Sequence, residues 1–280
     1  MCALYFLAKS VRRAWWVYLF FAANSAIAYS LFDPVPADKL RDLSTDRPDT
    51  TESPHTVDAG HYQIEWEAIS YGSDRNDGVR TSVLTSSINL KAGLSDNVDL
   101  QLVLEPHTRV TTKAAGESDT ESGMNDTEVR LKMNMWGNDE GETALAIMPF
   151  VRFATHDDDF GDDGKTEGGI IVPLGFTLPG GWESAVMVEV DRVRNEDNDG
   201  YITEFLQSIT FAHDITENMG GFLEFVNDSR NESDAEAETY FNTGVTYALG
   251  ANVQLDAGVN LGLSDAAEDC RVFVGFSYKR

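Results

Sequence analysis

VQLDAGVNLGL, residues 253 to 263, alternates without a break. Val253, Leu255, Ala257, Val259, Leu261 and Leu263 share one face of an extended chain, and Gln254, Asp256, Gly258, Asn260 and Gly262 share the other. Successive side chains of a β-strand point to opposite faces, so the stretch reads as a strand with one apolar face and one polar, small-residue face. In a soluble sandwich the apolar face meets a core. In an outer-membrane barrel it meets lipid while the polar face lines a wet interior. The rest of the chain decides between the two.

From His61 onward, strand-like segments follow one another with no helical pattern between them. They are Tyr62 to Tyr71, Thr81 to Leu94, Val98 to Glu105, Glu128 to Trp136, Thr143 to Phe153 and Gly169 to Leu178, then Trp182 to Val193, Ile202 to Ala212, Gly221 to Val226, Tyr240 to Leu249, Val253 to Leu263 and Arg271 to Tyr278. Phe222, Leu223 and Phe225 do not settle on one face, which makes Gly221 to Val226 the weakest of the set. The connections alternate in length. Long ones (Gly72 to Arg80, Pro106 to Thr127, Ala154 to Gly168, Arg194 to Tyr201, Asn227 to Thr239, Ser264 to Cys270) take turns with short ones such as Ser95 to Asn97 and Pro179 to Gly181. A soluble sandwich has no reason to sort its loops by parity, whereas an outer-membrane barrel has short turns inside and longer loops outside. The expected fold is therefore all-β: a closed antiparallel transmembrane β-barrel of about twelve strands with short periplasmic turns and longer acidic extracellular loops. His156 to Asp159 with Asp162 and Asp163, and NEDNDG at Asn195 to Gly200, supply the acidity. Tyr62, Trp136, Trp182, Tyr247 and Tyr278 fall at the periplasmic strand ends, where an aromatic girdle belongs.

Residues 1 to 28 carry Lys9, Arg12 and Arg13, then an uncharged run ending on Ala26-Ile27-Ala28, the pattern of a secretory signal peptide. Its removal takes three of the 21 basic residues and none of the 47 acidic ones, so the formal charge of −26 becomes more negative still. Nucleic acid is a poor partner for such a surface. Cys270 would then stand alone, which leaves no intrachain disulfide. The mean hydropathy of −0.28 argues against a helical membrane protein but not against a barrel, whose alternation averages out. Tyr29 to Gly60, with Pro34, Pro36, Pro48 and Pro54, is an extended lead-in that covers the periplasmic mouth, enters the lumen, or serves only as a tether. The barrel itself occupies 61–280.

The strand phase turns Glu65, Lys91, Arg130, Lys132, Arg152, Glu189 and Asp256 toward the lumen, together with Glu67, Asp99 and Asp191. Both charge signs inside a barrel of this size suggest paired networks that constrict a pore, with Arg130, Lys132 and Arg152 as selectivity residues; a purely structural filling of the interior is the plainer reading. Pro149 and Pro173 sit inside strands of a closed barrel, which has no free edge for them. Both lie equally far from the middle of the intervening loop, so they are expected to face each other at a shared bulge, or at missing hydrogen bonds that would thin the wall toward lipid. NEDNDG starts like a calcium loop but has Leu206 where the bidentate glutamate belongs. The histidines lack metal-ligand spacing, and no G-x-S-x-G, HExxH or P-loop sequence occurs, so no catalytic residue, metal or cofactor is expected.

The run Leu43 to Glu65, LSTDRPDTTESPHTVDAGHYQIE, resembles the opening of a family of bacterial outer-membrane proteins named for the meta-pathway of phenol degradation (MetA-type) and often labelled "transporter". INLKAGLSDNVDLQLVLEP at Ile88 to Pro106, VRLKMNMWGND at Val129 to Asp139, EGGIIVPL at Glu167 to Leu174 and VQLDAGVNLGL itself are similar to it as well. The resemblance implies an outer-membrane barrel that passes small molecules, aromatic or hydrophobic ones among them. It implies no site residues. One departure is that Lys279-Arg280 follow Tyr278, where such barrels usually end on an aromatic residue. The expected function is a channel for small solutes, with outer-membrane lipid and lipopolysaccharide as neighbours. Acid clusters bridging divalent ions are one way to meet the latter. The rivals are a structural barrel with a closed lumen and an outer-membrane lipase-type hydrolase. The hydrolase needs a Ser and a His side by side on the outward face near a rim, and the sequence shows no such pair.

Overall fold

The structure is a computed structural model that describes residues 29–139, 141–156, 165–195, 200–232 and 235–280. The signal-peptide segment, Asp157 to Asp163 and most of NEDNDG lie outside the described residues. The strands are β1 (Tyr62–Asn76), β2 (Val79–Ser95), β3 (Val98–Ala114), β4 (Glu117–Gly123), β5 (Thr127–Trp136), β6 (Thr143–Phe153), β7 (Glu167–Leu178), β8 (Trp182–Arg194), β9 (Tyr201–Thr216), β10 (Met219–Arg230), β11 (Glu238–Ala248), β12 (Val253–Gly262) and β13 (Cys270–Lys279). Each pairs antiparallel with its sequence neighbours, except that β3 passes directly to β5, and β1 pairs with β13 to close the circle. β4 pairs only with β3, through Thr108 to Ala114, and so stands above the closed ring of twelve.

The barrel is apolar outside and polar inside, the reverse of a soluble protein. Val188 and Val274 are each 48% exposed, while Glu65, Asp99, Gln101 and Glu224 are at most 1% exposed. In water such a belt would be a severe aggregation hazard, and only lipid satisfies it, so the ring spans the outer membrane. Tyr62, Trp136, Trp182, Tyr247 and Tyr278 all point outward at the periplasmic strand ends. Val188→Arg, on the belt at the middle of β8, should cost about 2–4 kcal/mol of folding free energy in lipid vesicles. A urea titration of the membrane-inserted protein measures it. An unchanged midpoint would mean that β8 does not face acyl chains.

The twelve expected strands are all present, but the outer ends differ. Gly72 to Arg80 and Pro106 to Thr127, expected as loops, are largely strand. Asp77-Gly78 (φ 47° and 82°) and Ala115-Gly116 (φ 49° and 90°) turn these hairpins in two residues. Positive φ at both turn positions matches the right-handed twist of the flanking strands, and Asp-Gly was the sequence signal for it. A transmembrane strand needs about 9–11 residues, so β1, β2 and β3, at 15, 17 and 17 residues, project beyond the hydrocarbon. Out there both faces are wet and the alternation that reveals a strand disappears.

In β10 the apparent confusion of faces resolves. Leu223 and Phe225 point to lipid, while Phe222, Glu224 and Val226 point to the lumen. The two prolines need correction. β7 begins at Glu167, directly opposite Arg152, and that register sets Pro149 against Ile170 rather than against Pro173. There is no shift in register between β6 and β7. The ladder nevertheless lacks pairs between Leu145↔Leu174 and Met148↔Ile171, where Pro173 falls. The β5–β6 ladder likewise lacks them between Arg130↔Phe150 and Met133↔Ile147, beside Pro149. A residue with no N–H cannot donate to a ladder, so each proline weakens the wall on its own.

Candidate permeation path

The lumen is not empty. The segment Tyr29 to Gly60 enters it from the periplasmic side, anchored at the mouth by Leu31 N–H to Leu94 O (3.0 Å) and Gly60 N–H to Gly93 O (2.9 Å). Asp58 accepts from Arg41 (2.7 Å) and from Lys279 (3.3 Å), whose ammonium also donates to the carbonyls of Arg41 and Asp42. The chain then runs across the lumen and back. Thr50 and Thr51 N–H donate to the Glu224 carboxylate on β10 (2.9 and 2.7 Å), and Val57 N–H donates to Asp99 on β3 (2.9 Å).

Asp46 is the centre of this arrangement. Its carboxylate accepts from the ammonium groups of Lys91 on β2 and Lys132 on β5 and from Ser53 N–H (2.9 Å), while its own N–H donates to Glu65 (3.1 Å). Glu65 also receives Lys91. Burial by itself raises a carboxyl pKa, but Lys132 and Lys91 outweigh it and hold Asp46 well below the ordinary carboxylate range. Its contribution is therefore complete above the unfolded value of about 3.9 and is lost only on acidification. One residue on, Arg47 bonds Asp256 (2.7 Å) and Glu67 (3.1 Å) and lies over the Phe273 ring, 5.6 Å to its centroid.

The residues expected in the lumen are thus there, with partners that strand phase alone could not show. Lys132 is 1% exposed and Lys91 4%, so neither faces an open water path; both hold the inserted segment. Asp256 holds Arg47. Arg130 joins segment to wall, donating to both Glu52 and Glu128. From Glu128 a chain of ion pairs climbs to the outer rim through Arg152 (2.9 Å), Glu167 (3.2 Å) and Arg194 (3.1 Å). Glu189 stands with Asp191 on the lumen face of β8, two residues apart and outside that chain. The partner residues Asp46, Arg47, Thr50, Thr51 and Glu52 all come from TDRPDTTE. That run's density of charge and hydroxyl was the available sign that it docks on something polar.

The plugging is one-sided. Between the segment and β7–β11 a cavity of about 830 Å³ remains on the periplasmic half, where Gly175, Ser184, Thr210, Gly220 and Thr246 leave room. Farther out on neighbouring strands, Met148, Phe150, Ile171 and Met187 form a buried apolar cluster on the lumen side, joined by Leu206. Glu52 N–H abuts the Met187 sulfur at 3.3 Å. An apolar patch facing the interior of a membrane barrel has no lipid to satisfy it.

The register does bring a serine and a histidine together on the outward face, since Ser86 lies opposite His107. The Ser86 hydroxyl, however, donates to the Glu67 carbonyl (3.2 Å) and accepts from the Trp66 indole (2.8 Å). A nucleophile must give its proton to the base, and this one points elsewhere. No group of side chains fit to hold a metal ion occurs among the described residues.

A closed, lipid-belted ring of twelve strands with a charged segment threaded through it defines an outer-membrane β-barrel. The model of a protein family described as "Putative MetA-pathway of phenol degradation" matches residues 45–279, and the chain belongs to that family. Among solved structures, the COG4313 outer membrane channel from Pseudomonas putida F1 is similar at 11% identity, with a TM-score of 0.60 over 85% of this chain and all of that one. The β domain of the Bordetella autotransporter BrkA is similar at 14% identity, with a TM-score of 0.50 over 79% of this chain and 98% of that one. At these identities the likeness is one of fold. No curated protein is significantly similar in sequence.

Proposed function

We propose that the protein is an outer-membrane channel through which small solutes diffuse, with compounds of aromatic or apolar character favoured and the segment 29–60 as its plug. The observation that carries this is the cavity beside the plug, large enough for a small organic molecule and lined in part by Glu52, whose N–H abuts Met187 of the apolar cluster that also holds Met148, Phe150 and Ile171. A barrel serving structure alone would gain nothing from that pairing of a void with a greasy interior patch. The likeness to a protein named as a channel and the family's phenol-degradation label agree with this reading.

Liposome swelling with sugars, amino acids and phenolics tests it, using the full protein and one lacking the plug loop. Phenolics should enter faster than sugars of similar size. Ile171→Glu, which places a charge in the cluster, should slow phenolics several-fold and leave small sugars nearly unchanged. The rival is a structural barrel with a closed lumen, favoured by the complete burial of Lys132, Gln101 and Glu65 under the plug. Absence of permeation by any solute, with the plug loop removed, would establish that rival instead.

A further inference from the structure

The projecting ends of β1, β2 and β3 sort their charges by face. Tyr71 is exposed to lipid while Ser70 is fully buried, which fixes Ser73 and Arg75 on the outward face of β1. The register then sets Arg75 opposite Arg80, and Arg80 opposite Lys113, in one outward row. Below it lies a row of hydroxyls, Ser73, Ser82 and Thr111, and below that Tyr71, Leu84 and Arg109 at the edge of the apolar belt. Of the acids of the same hairpins, Asp74, Glu117, Asp119 and Glu121 take the opposite, lumen-side phase, and Asp77 sits in the β1–β2 turn without an ion pair among the described residues.

Like charges directly opposite one another on a sheet repel, and three in a row is an unfavourable arrangement without a counter-charge. The chain has 47 acidic residues, yet among the described residues Arg75, Arg80, Arg109 and Lys113 enter no ion pair, and all four are exposed. A groove of about 480 Å³ opens between the two hairpin tips, lined by Arg75, Arg80, Lys113 and Ser118. Height identifies the occupant. Four residues separate Leu84 from Arg80, roughly 13 Å along a strand at about 3.3 Å per residue, and less along the membrane normal because strands tilt. The cations therefore stand just beyond the acyl chains, facing sideways into the leaflet rather than into the lumen.

We infer that this patch is a docking site for the phosphorylated headgroup of the outer-leaflet glycolipid, lipopolysaccharide. Arg80 and Lys113, with Arg75, meet its phosphates through charge-assisted hydrogen bonds, and the hydroxyl row meets its sugars. The outward orientation commits the site to a lipid. A permeating anion would meet the lumen face, where the acids are. Acidic stretches of the rim would need divalent cations to bridge glycolipid phosphates, whereas this patch binds them directly.

The test uses the full protein purified in detergent, with chelator present throughout, titrated with lipid A carrying both phosphates and followed by native mass spectrometry and thermal unfolding. Saturable binding and a raised unfolding temperature are expected. The double variant Arg80→Gln/Lys113→Gln, and dephosphorylated lipid A with the unaltered protein, should each bind at least about tenfold more weakly. Without lipid the variant should be as stable as the parent or more so, since a repulsion has been removed, and its conductance should be unchanged. Equal binding by the variant overturns the proposal. So does binding that appears only when magnesium replaces the chelator, which would mean cation bridging. Displacement of the lipid by millimolar inorganic phosphate also overturns it, since the patch would then be a free-anion site.

Discussion

Replacing residues 44–56 by a short Gly-Ser linker is expected to raise single-channel conductance several-fold in planar bilayers and to admit solutes that the intact protein excludes. Arg41 and Asp58 are already in contact, so a short linker spans the excised ends without strain. Below the excised loop the wall keeps all of its strand pairings, none of which involves the removed residues. A ring of twelve strands is wider than the eight-stranded barrels that side chains alone can fill, so nothing else on the wall closes it. Lys91, Lys132, Glu65 and Asp256, which strand phase had turned toward the lumen, would then line a wetted passage together with Glu224 and set its ion preference. Conductance equal to that of the parent would show that current does not pass where the segment lies.

The second large effect belongs to a single side chain. Asp46→Ala leaves Lys91 and Lys132 buried with less counter-charge, and breaking a buried pair in this way costs about 3–5 kcal/mol. Taken as a loss of plug docking, that is a shift of roughly two to three and a half orders of magnitude in the ratio of closed to open channel, at 1.4 kcal/mol per tenfold. Bilayer recordings should show long openings where the parent shows few. Part of the cost is recovered as water reaches the two ammonium groups, so the figure is an upper one. The same bond predicts the pH response. Because the Asp46 pKa is depressed on docking, closure should hold from about pH 5 to 8 and weaken only as pH falls below about 4. If Asp46→Ala and Thr45→Ala record identically, the carboxylate is not the latch.

The barrel wall was legible because its physics is written in every second residue. A lipid-facing position rejects charge, a lumen-facing one accepts it, and stretches such as Val253 to Leu263 carry both statements at once. What the alternation could not convey is what each inward side chain touches. Lys132 and Asp256 read as pore lining because their partners, Asp46 and Arg47, lie 86 and 209 residues away along the chain, in a segment with no periodicity at all. The outer hairpins were hidden for a related reason. Once a strand leaves the bilayer both of its faces meet water, and ESDTESG looks like any solvated loop. The three-residue offset of Pro149's partner from Pro173 was lost because β7 begins two residues earlier than expected and pairs from Arg152 rather than Phe153, since an antiparallel register depends on where pairing begins.

Lys279 turns a feature of the closing strand into an order of events. It lies on β13, the C-terminal strand that closes the ring against β1, beside Tyr278, whose ring points to lipid, and it is only 4% exposed because it reaches inward to Asp58 and to the carbonyls of Arg41 and Asp42. The stretch that leads the chain cannot complete its seat until β13 has zipped onto β1. A half-built barrel is therefore unlatched, and the seam that completes the ring also completes the seat of its stopper.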